Sequence, residues 1–517
     1  MNLAPDLCYQ ALSSRDRRFD GQFVVGVTST GIYCRPVCRV RCPKFDHCRF
    51  FMHPAAAEQA GFRPCLRCRP ELAPGLSMMD ARDQLARAAM VMIDNGFLDR
   101  DSSAALAARI GVSERHLRRL FKASFGVTMV EVARTRRLLL AKRLLTDTTL
   151  PVSEVAHAVG LGSQRRLNAL FQSHYRLSPS RLRRAARAGN TCASITLSLA
   201  YQPPLDWAAM LDFLAARQID GLEKIEAGRW QRSLLIEKDK GGEPVTCAGW
   251  ISVEHAGPGQ LALILPVTLV PVMGDVLSIV RHVFDLDAPM ALIESHLEGL
   301  AGTGLRVPGA VNGFEMAVRA IVGQQITTTR ARRVLAELVA RFGEPLSGSP
   351  GYYGFPTPSV MAAQPCEDLI LLGLLRIRAE AIITVAKAMD SGALRLCPGV
   401  SVADTMARLC DIRGVGDWTA QYIAMRALAW PDAFPAGDLM LKRALGCDSA
   451  REAAQRVSHW SPWRAYVAIR LWQQASGEAV SYPVMTSPPV ITSPDAGSRM
   501  GAQADIAPAP SSEDSSS

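Results

Sequence analysis

Two closely spaced cysteine pairs near the start of the chain could hold a metal ion. Three residues separate Cys34 from Cys38, and two separate Cys65 from Cys68. Paired thiols at such short spacing are typical of tetrahedral zinc sites, in which each pair lies on a turn. Zinc keeps its thiols deprotonated, and the thiolate is the nucleophilic form of cysteine. The spacing therefore predicts a zinc site that is either purely structural or also reactive.

A second set of residues, near the end of the chain, has the composition of a nucleic-acid site. Gly414 and Gly416 flank a single residue in a helical region, and Asp438 follows further along. Glycines permit a tight turn between two helices, and such a turn can point backbone N–H groups at a phosphate. A lone Gly-x-Gly is more often only a turn. The residues around the glycines must therefore decide between these interpretations.

Charge is divided unevenly along the 517 residues. Residues 1–190 hold 31 Lys and Arg against 15 Asp and Glu, a net charge of +16, and the remainder holds 27 against 33, a net charge of −6. The first part has the electrostatics of a polyanion-binding region. The second part cannot bind DNA through its net charge and would need specific local contacts to the DNA. The chain is too long for one core, so we expect roughly three to five domains.

The cysteines and the apolar segments indicate an intracellular protein. Seven of the thirteen cysteines lie within the first 68 residues, yet no apolar signal segment follows Met1. The longest apolar run, residues 261–273, is interrupted by Pro266 and Pro271 and is too short to span a bilayer. We therefore expect a cytoplasmic protein with metal-bound or reactive thiols and no membrane partner.

A motif in the basic region occurs twice. Leu-Ala-x-x-Ile-Gly-Val-Ser at residues 106–113 returns as Val-Ala-x-x-Val-Gly-Leu at residues 155–161. In each copy a glycine marks the turn between two helices, and Ser113 or Ser163 can cap the second helix. The doubled motif resembles the AraC-type DNA-binding domain, which implies two recognition helices in successive major grooves. The candidate DNA-binding residues are Arg115, Arg118, Arg119, Gln164 and Arg165.

The segments around the cysteine pairs are more specific than their spacing. Thr-Gly-Ile-Tyr-Cys-Arg-Pro-Val-Cys-Arg at residues 30–39 and Gly-Phe-Arg-Pro-Cys-Leu-Arg-Cys at residues 61–68 resemble the amino-terminal domain of the Ada family. The resemblance implies that Cys34 binds zinc and also accepts a methyl group from a DNA methylphosphotriester. The full ligand set that it implies is Cys34, Cys38, Cys65 and Cys68. Three nearby candidates lack the flanking pattern and are expected to be bystanders, namely Cys42, His47 and Cys48.

The surroundings of the paired glycines carry another resemblance. Residues 305–480, with the segments 314–325, 412–420 and 434–438, resemble the helix-hairpin-helix DNA glycosylases. Residues 194–300 resemble the extra amino-terminal domain of the AlkA branch of that family. By this resemblance Asp438 is the catalytic carboxylate, whose charge would stabilise the cationic transition state formed as the base departs.

The same resemblance implies an aromatic pocket, because an electron-rich ring face attracts a cationic alkylated base. The candidate substrate-binding residues are Trp418, Tyr422, Trp472 and Gln324. The candidate DNA-binding residues of the hairpin are Gly414, Gly416 and Thr419. For each aromatic residue taken singly, a role in the core remains equally open.

Several departures from the family pattern refine these expectations. Trp418 stands where bifunctional relatives carry a lysine, which argues against Schiff-base lyase chemistry. Arg413 replaces the usual proline before the first hairpin glycine, and Gln325 replaces the leucine that fills the gap left by the flipped base. No closely spaced cysteines follow Asp438, so no iron–sulfur cluster is expected.

These features predict a multidomain protein that is mainly α-helical with α+β parts. The predicted domains are an Ada-like zinc methylphosphotriester domain (1–75), an AraC-type helix-turn-helix domain (79–187), an AlkA-like α/β amino-terminal domain (194–300), an all-α helix-hairpin-helix glycosylase domain (301–480) and a disordered tail (481–517). In the third domain we expect strands at 195–200 and 261–265 and a helix at 207–217.

The expected function is a response to DNA alkylation damage. The chain is interpreted as a monofunctional DNA-3-methyladenine glycosylase fused to a methylation-activated transcriptional regulator, with zinc as its cofactor. Its expected partners are alkylated and promoter double-stranded DNA and RNA polymerase, in the bacterial nucleoid. The alternative is a regulator whose carboxy-terminal half is a non-catalytic DNA-binding module.

Overall fold

The computed structural model describes residues 4–16, 19–70, 84–94, 96–184, 194–240 and 243–477. The predicted tail at residues 481–517 lies outside these ranges, and its disorder stays a prediction. Among the helices of the described ranges, none combines the length and the apolar character that a membrane span requires.

A small sheet carries the first cysteine pair. Helix α1 (Pro5–Ser14) precedes β1 (Val24–Val27), β2 (Ile32–Cys34), β3 (Cys48–Phe51), α2 (Pro54–Gln59) and β4 (Arg63–Pro64). The strand order is β3-β1-β2-β4, and β4 runs parallel to β2 with Tyr33 opposite Pro64. Because parallel strands end at the same edge of a sheet, Cys34 and Cys65 lie side by side.

Two helix-turn-helix units follow, joined by one long helix. The elements are α3 (Gln84–Asp94), α4 (Phe97–Arg100), α5 (Ser103–Ile110), α6 (Glu114–Phe125), α7 (Met129–Asp147), α8 (Val152–Ala158), α9 (Gln164–Tyr175) and α10 (Pro179–Arg184). Ser113 and Ser163 cap α6 and α9 by accepting a hydrogen bond from the backbone N–H three residues on, as predicted. The joining helix is α7, so it fixes the spacing between the two recognition helices α6 and α9.

A five-stranded antiparallel sheet forms the next layer. It contains β5 (Ser194–Ala200), β6 (Glu223–Glu226), β7 (Arg229–Lys240), β8 (Glu243–Gly257) and β9 (Gln260–Pro266) in the order β5-β9-β8-β7-β6. Helices α11 (Trp207–Ala215), α12 (Met273–Val283) and α13 (Met290–His296) accompany it. Every pairing in this sheet is antiparallel, so the domain is of the α+β type and the expected α/β label is corrected.

The remaining described chain is helical. Its helices are α14 (Gly313–Val322), α15 (Thr328–Phe342), α16 (Pro358–Ala362), α17 (Cys366–Leu371), α18 (Arg376–Asp390), α19 (Val402–Cys410), α20 (Asp417–Ala427), α21 (Leu439–Leu445), α22 (Ala450–Arg456) and α23 (Arg464–Gly477). One apolar core joins α14, α18, α20 and α23. The predicted fold class, mainly helical with α+β parts, is confirmed.

A buried ring of four charges joins the antiparallel sheet to the helical domain. Glu223 on β6 accepts hydrogen bonds from Arg232 (3.0 Å) and Arg319 (2.6 Å). Glu315 on α14 accepts from Arg319 at 2.7 Å and also from Arg232. Each charge therefore has two partners of opposite sign, and removal of any one would leave its neighbours buried and underpaired.

Candidate metal centre and candidate active site

Four cysteine sulfurs meet at the edge of the small sheet. The Sγ atoms of Cys34, Cys38, Cys65 and Cys68 all lie within 4.8 Å of one another, and the first three residues are buried. Tetrahedral zinc with Zn–S bonds of about 2.3 Å requires sulfurs that are roughly 3.8 Å apart. The cluster therefore has the size and the donor set that suit zinc.

Backbone groups around the cluster favour thiolates. The N–H of Arg35 donates to Cys68 Sγ, and the N–H of Arg67 donates to Cys65 Sγ, both at 3.4 Å. The Arg35 guanidinium also bonds the Cys68 carbonyl (3.2 Å) and Asp20 (Nε to Oδ1, 2.8 Å), which fixes the ligand loop from outside. Cys34 and Cys38 line a shallow depression that Arg15 and Arg41 also border, so an anion there would meet positive charge.

The three expected bystanders lie outside the sulfur cluster. Cys42 approaches Ser13, and His47 approaches Thr28. The Cys48 thiol donates to the Lys44 carbonyl, and burial together with the charge of Cys42 raises the pKa of Cys48 to about 11. The Cys48 thiol therefore stays protonated at neutral pH.

The two recognition helices present the predicted polar residues to solvent. Leu117 and Phe121 anchor α6 in the core, and Leu167 and Phe171 anchor α9 at the equivalent positions. The opposite faces carry the predicted DNA-binding residues, all of them exposed, which are Arg115, Arg118, Arg119, Gln164 and Arg165. Arg118 forms an ion pair with Glu114, one helical turn away on α6.

A helix-hairpin-helix is formed by α19, residues 411–416 and α20. Gly414 has φ +94°, and a Cβ there would lie 3.1 Å from the Ile377 carbonyl oxygen, so both conformation and packing require glycine. Gly416 caps α20 with φ −93° and has open space where a Cβ would point. A phosphate could therefore approach the backbone N–H groups that begin α20.

Thr419 and Gln324 take positions that the motif alone did not indicate. The Thr419 side chain is buried, and its hydroxyl accepts a hydrogen bond from Gln324 Nε2 at 2.9 Å. The same Gln324 nitrogen donates to the Gly414 carbonyl at 2.9 Å. The structure thus does not place the Thr419 hydroxyl on the DNA-facing surface, and it makes Gln324 a brace for the hairpin. The neighbouring Gln325 is exposed in the left-handed region, with φ 52°.

Asp438 accepts four hydrogen bonds from three helices. It caps α21, where Oδ1 accepts from the backbone N–H groups of Met440 (2.9 Å) and Leu441 (3.0 Å). Oδ1 also accepts from Trp472 Nε1 on α23 (3.1 Å), and Oδ2 accepts from Trp418 Nε1 on α20 (3.0 Å). All four partners are donors, which suits a carboxylate. Asp438 is nevertheless partly exposed to solvent.

The three predicted aromatic residues come together beside this carboxylate. Trp418 and Tyr422, one turn apart on α20, stack with ring centroids 5.3 Å apart and planes 12° apart. Trp472 meets Tyr422 edge-on at 6.0 Å. These residues share one wall of the site, and the indole N–H groups of the two tryptophans orient the acid.

Two arginines behind Tyr422 were not predicted. Arg426 Nη1 lies 3.0 Å from the Tyr422 hydroxyl oxygen, and the guanidinium groups of Arg426 and Arg217 lie 5.1 Å and 3.7 Å from the Phe213 ring centroid. Burial alone would raise the pKa of Tyr422, but Arg426 and Arg217 outweigh it and lower the pKa to about 8. The spacing of Trp418, Tyr422 and Arg426 along one face of α20 was a usable signal for Arg426. Nothing in the local sequence pointed to Arg217.

Comparison with known proteins agrees with this arrangement. Four family models match the chain, described as the metal binding domain of Ada (residues 7–71), a helix-turn-helix domain (106–185), the AlkA N-terminal domain (196–312) and the HhH-GPD superfamily base excision DNA repair protein (318–456). These matches define a fusion of a regulatory module with a base excision repair module. Together with the four-cysteine cluster, the Ada match confirms zinc as the predicted cofactor.

Curated relatives cover both halves. A probable bifunctional transcriptional activator/DNA repair enzyme AlkA of Mycobacterium tuberculosis is 34% identical over 499 residues, which are 93% of this chain and 98% of that protein. DNA-3-methyladenine glycosylase 2 of Escherichia coli is 33% identical over 53% of this chain and 96% of its own length. Escherichia coli Ada is 37% identical over 24% of this chain and 34% of its own length. The chain belongs to the family of AlkA-type bifunctional transcriptional activators and DNA repair enzymes.

The charge balance behind Tyr422 can be tested by titration. We expect one phenol of the folded protein to ionise near pH 8, measured by phenolate absorbance, and this transition should be missing from Tyr422→Phe. Arg217→Met should raise the transition toward the ordinary tyrosine pKa of about 10. Since the folded pKa lies below the unfolded one, the free energy of unfolding should rise between about pH 8 and 10 in wild type relative to Tyr422→Phe.

A matched control comes from another buried tyrosine. The Tyr466 hydroxyl donates to Asp285 at 2.7 Å, and burial raises the pKa of Tyr466 well above its ordinary value. Tyr466→Phe should therefore leave the transition near pH 8 in place. If the transition near pH 8 persisted in Tyr422→Phe, it could not be assigned to Tyr422.

Proposed function

We propose that this chain is a monofunctional DNA glycosylase that releases alkylated bases such as 3-methyladenine, fused to a transcriptional regulator that methylation activates. The carboxylate of Asp438, held by two indole N–H groups beside an aromatic stack, is the observation that carries the glycosylase assignment. The adjacent hairpin offers backbone N–H groups to the DNA strand. The site thus combines a hairpin that can bind the DNA backbone, the stacked rings of Trp418 and Tyr422, and the negative charge of Asp438.

The reaction needs little general-acid help. An alkylated purine carries positive charge, so when the bond from C1′ to the ring nitrogen breaks, the base takes the bonding electrons and leaves neutral. Positive charge then develops on the sugar, and the Asp438 carboxylate stabilises it. Water attacks C1′, loses its proton, and an abasic site remains. The stacked rings of Trp418 and Tyr422 favour a cationic base over a neutral one.

Replacement of Asp438 by Asn should test this mechanism. The amide keeps the shape of the side chain but removes its charge, and we expect release of 3-methyladenine to fall by roughly a thousandfold or more. Binding to undamaged duplex should change little, and the protein should stay folded with a modest loss of thermal stability, because the amide NH₂ cannot accept the hydrogen bonds that the carboxylate oxygen in its place accepts. Asp390→Asn, the same charge change at an exposed position at the end of α18, is the matched control. Near-normal excision by Asp438→Asn would instead favour a non-catalytic DNA-binding module.

The absence of a lysine at position 418 leads to a second expectation. Borohydride should not trap the protein covalently on damaged DNA, because Trp418 cannot form an imine with the abasic sugar. Lys442 on α21 is directed to the Asp448 carbonyl, at 3.5 Å. The measurement is a gel-shift of denatured complexes, with a glycosylase/lyase as positive control. A trapped adduct would show lyase activity and contradict the monofunctional assignment.

We assign the regulatory function to the zinc centre and to the two recognition helices, α6 and α9. We propose that Cys34 accepts the methyl group and that all four cysteines hold zinc. The Cys34 sulfur attacks the methyl carbon of a DNA methylphosphotriester, an S–C bond forms, and the O–C bond breaks to leave an ordinary phosphodiester anion. With zinc bound, Cys34, Cys38, Cys65 and Cys68 as thiolates would give the centre a formal charge of −2, and methylation of Cys34 would reduce it to −1. The repulsion of phosphate falls, so affinity for DNA rises.

Two partners and a location complete the proposal. The exposed arginines of α6 and α9 suit promoter DNA, and the hairpin suits alkylated DNA. We further propose a contact with RNA polymerase, because a DNA-bound activator must still recruit the enzyme. We also propose that both activities operate on the bacterial nucleoid.

Cysteine variants separate the two proposed roles at the metal. After exposure to methylphosphotriester DNA, peptide mass mapping should find the methyl group on Cys34, and Cys34→Ser should take up none. Cys38→Ser and Cys65→Ser should lose zinc and destabilise the small domain, because the metal contributes to its folding. Cys42→Ser should keep both zinc and methyl uptake. A methyl group that maps to another residue would overturn the acceptor assignment.

A further inference from the structure

One face of α7 is docked against the zinc domain. Thr135, Lys142 and Thr146 are spaced by seven and four residues, so they form a stripe along the helix. Lys142 Nζ donates to the carbonyl of the zinc-cluster residue Cys65 at 3.4 Å. At the end of the stripe, Arg69 bonds Thr146 (3.2 Å) and Asp147 (2.7 Å). The helix that joins the two recognition units therefore also holds the cysteine loops.

Glu58 on α2 is the centre of this contact. Its Oε1 accepts hydrogen bonds from the hydroxyls of Tyr33 (3.0 Å) and Tyr175 (3.3 Å), and its Oε2 accepts from Thr135 (2.7 Å). Tyr33 immediately precedes Cys34 on β2, Thr135 lies on α7, and Tyr175 is the last residue of α9. One carboxylate thus links the proposed methyl acceptor to the second recognition helix.

The polar contact is enclosed, which makes its geometry specific. Tyr33, Thr135 and Tyr175 are at most 3% exposed, so bulk water cannot replace a hydrogen bond to Glu58 that is lost. Apolar packing supports the same arrangement, because Ala55 of α2 shares a core with Leu117 of α6 and Val132 of α7. A shift of the zinc domain against α7 and α9 would break the Glu58 hydrogen bonds to Thr135 and Tyr175 together.

We propose that Glu58 is the positioning residue that transmits methylation of Cys34 to promoter binding. It holds the zinc centre and α9 at a fixed separation on one duplex. This inference rests on the proposed methylation switch. The zinc centre can then contact a phosphate after methylation without any reordering of the interface between the zinc domain and α7. The free energy of that contact therefore adds fully to the binding free energy of the recognition helices. With a loose connection, part of that gain would be lost to reordering.

The test removes partners of Glu58 on the regulator side and leaves the cysteines untouched. Tyr175→Phe and the double variant Thr135→Val/Tyr175→Phe preserve size and packing. The probe is a duplex selected from a random-sequence pool with methylated wild-type protein. For each variant, the ratio of dissociation constants before and after methylation gives the affinity gain. Zinc content and methyl uptake are measured in the same samples.

We expect Tyr175→Phe to reduce the affinity gain by roughly three- to tenfold, and the double variant to reduce it further. Zinc content, methyl uptake and affinity of the unmethylated protein should stay close to wild type. Tyr9→Phe is the matched control, since the Tyr9 hydroxyl donates to the Pro43 carbonyl within the zinc domain. That variant should keep the full gain.

Other results would overturn the inference in distinguishable ways. If the double variant keeps the wild-type gain, the contact does not transmit the signal, and only the role of Glu58 fails. If the variants lose methyl uptake together with the gain, Glu58 serves the acceptor domain itself and not its position on DNA. If wild-type protein is methylated at Cys34 without any gain, the proposed switch fails as well.

Discussion

The helical domain is organised by the need to surround one carboxylate with donors. Asp438 lies at the start of α21, yet half of its N–H partners are indoles on α20 and α23. A half-buried carboxylate that lost these donors would be costly to keep ionised, so the three helices must converge to within hydrogen-bond distance. The hairpin with Gly416 leads directly into α20, the helix that carries Trp418. The hairpin and Trp418, a donor to the Asp438 carboxylate, therefore share α20, while Asp438 itself begins α21.

The two halves of the chain meet the same polyanion by different physical means. The first 190 residues carry a net charge of +16, which attracts DNA at long range and at any position along the duplex. The remainder is net negative, at −6, so its net charge does not attract DNA, and the N–H groups that begin α20 are the short-range donors that we propose for this contact. A search for regulatory sequence benefits from the first mode. Excision of a single base benefits from the second, because a short-range contact operates only in the correct pose.

Features that depend on neighbouring residues in the sequence were predictable, and features that depend on distant contacts were not. The serine caps of α6 and α9, strand β5 and helix α11 follow local rules, and they were found within a few residues of their predicted bounds. The four-cysteine cluster followed from its spacing. By contrast, Gln324 braces a hairpin about ninety residues away, and Arg217 reaches Tyr422 from another domain. Such contacts arise from tertiary packing, which single-sequence patterns do not encode.

The regulator and the repair module are also joined by packing, not only by the chain. One apolar core contains Leu144 of α7 and Phe171 of α9 together with Leu197 of β5 and Val270, which follows β9. Arg143 of α7 additionally bonds the Ser198 carbonyl on the edge strand of the sheet. Separation of the halves would expose this shared surface to water, so each half contributes to the stability of the other. Two DNA-binding surfaces on one body cannot reorient freely, and a duplex held by one surface restricts the sites that the other surface can reach.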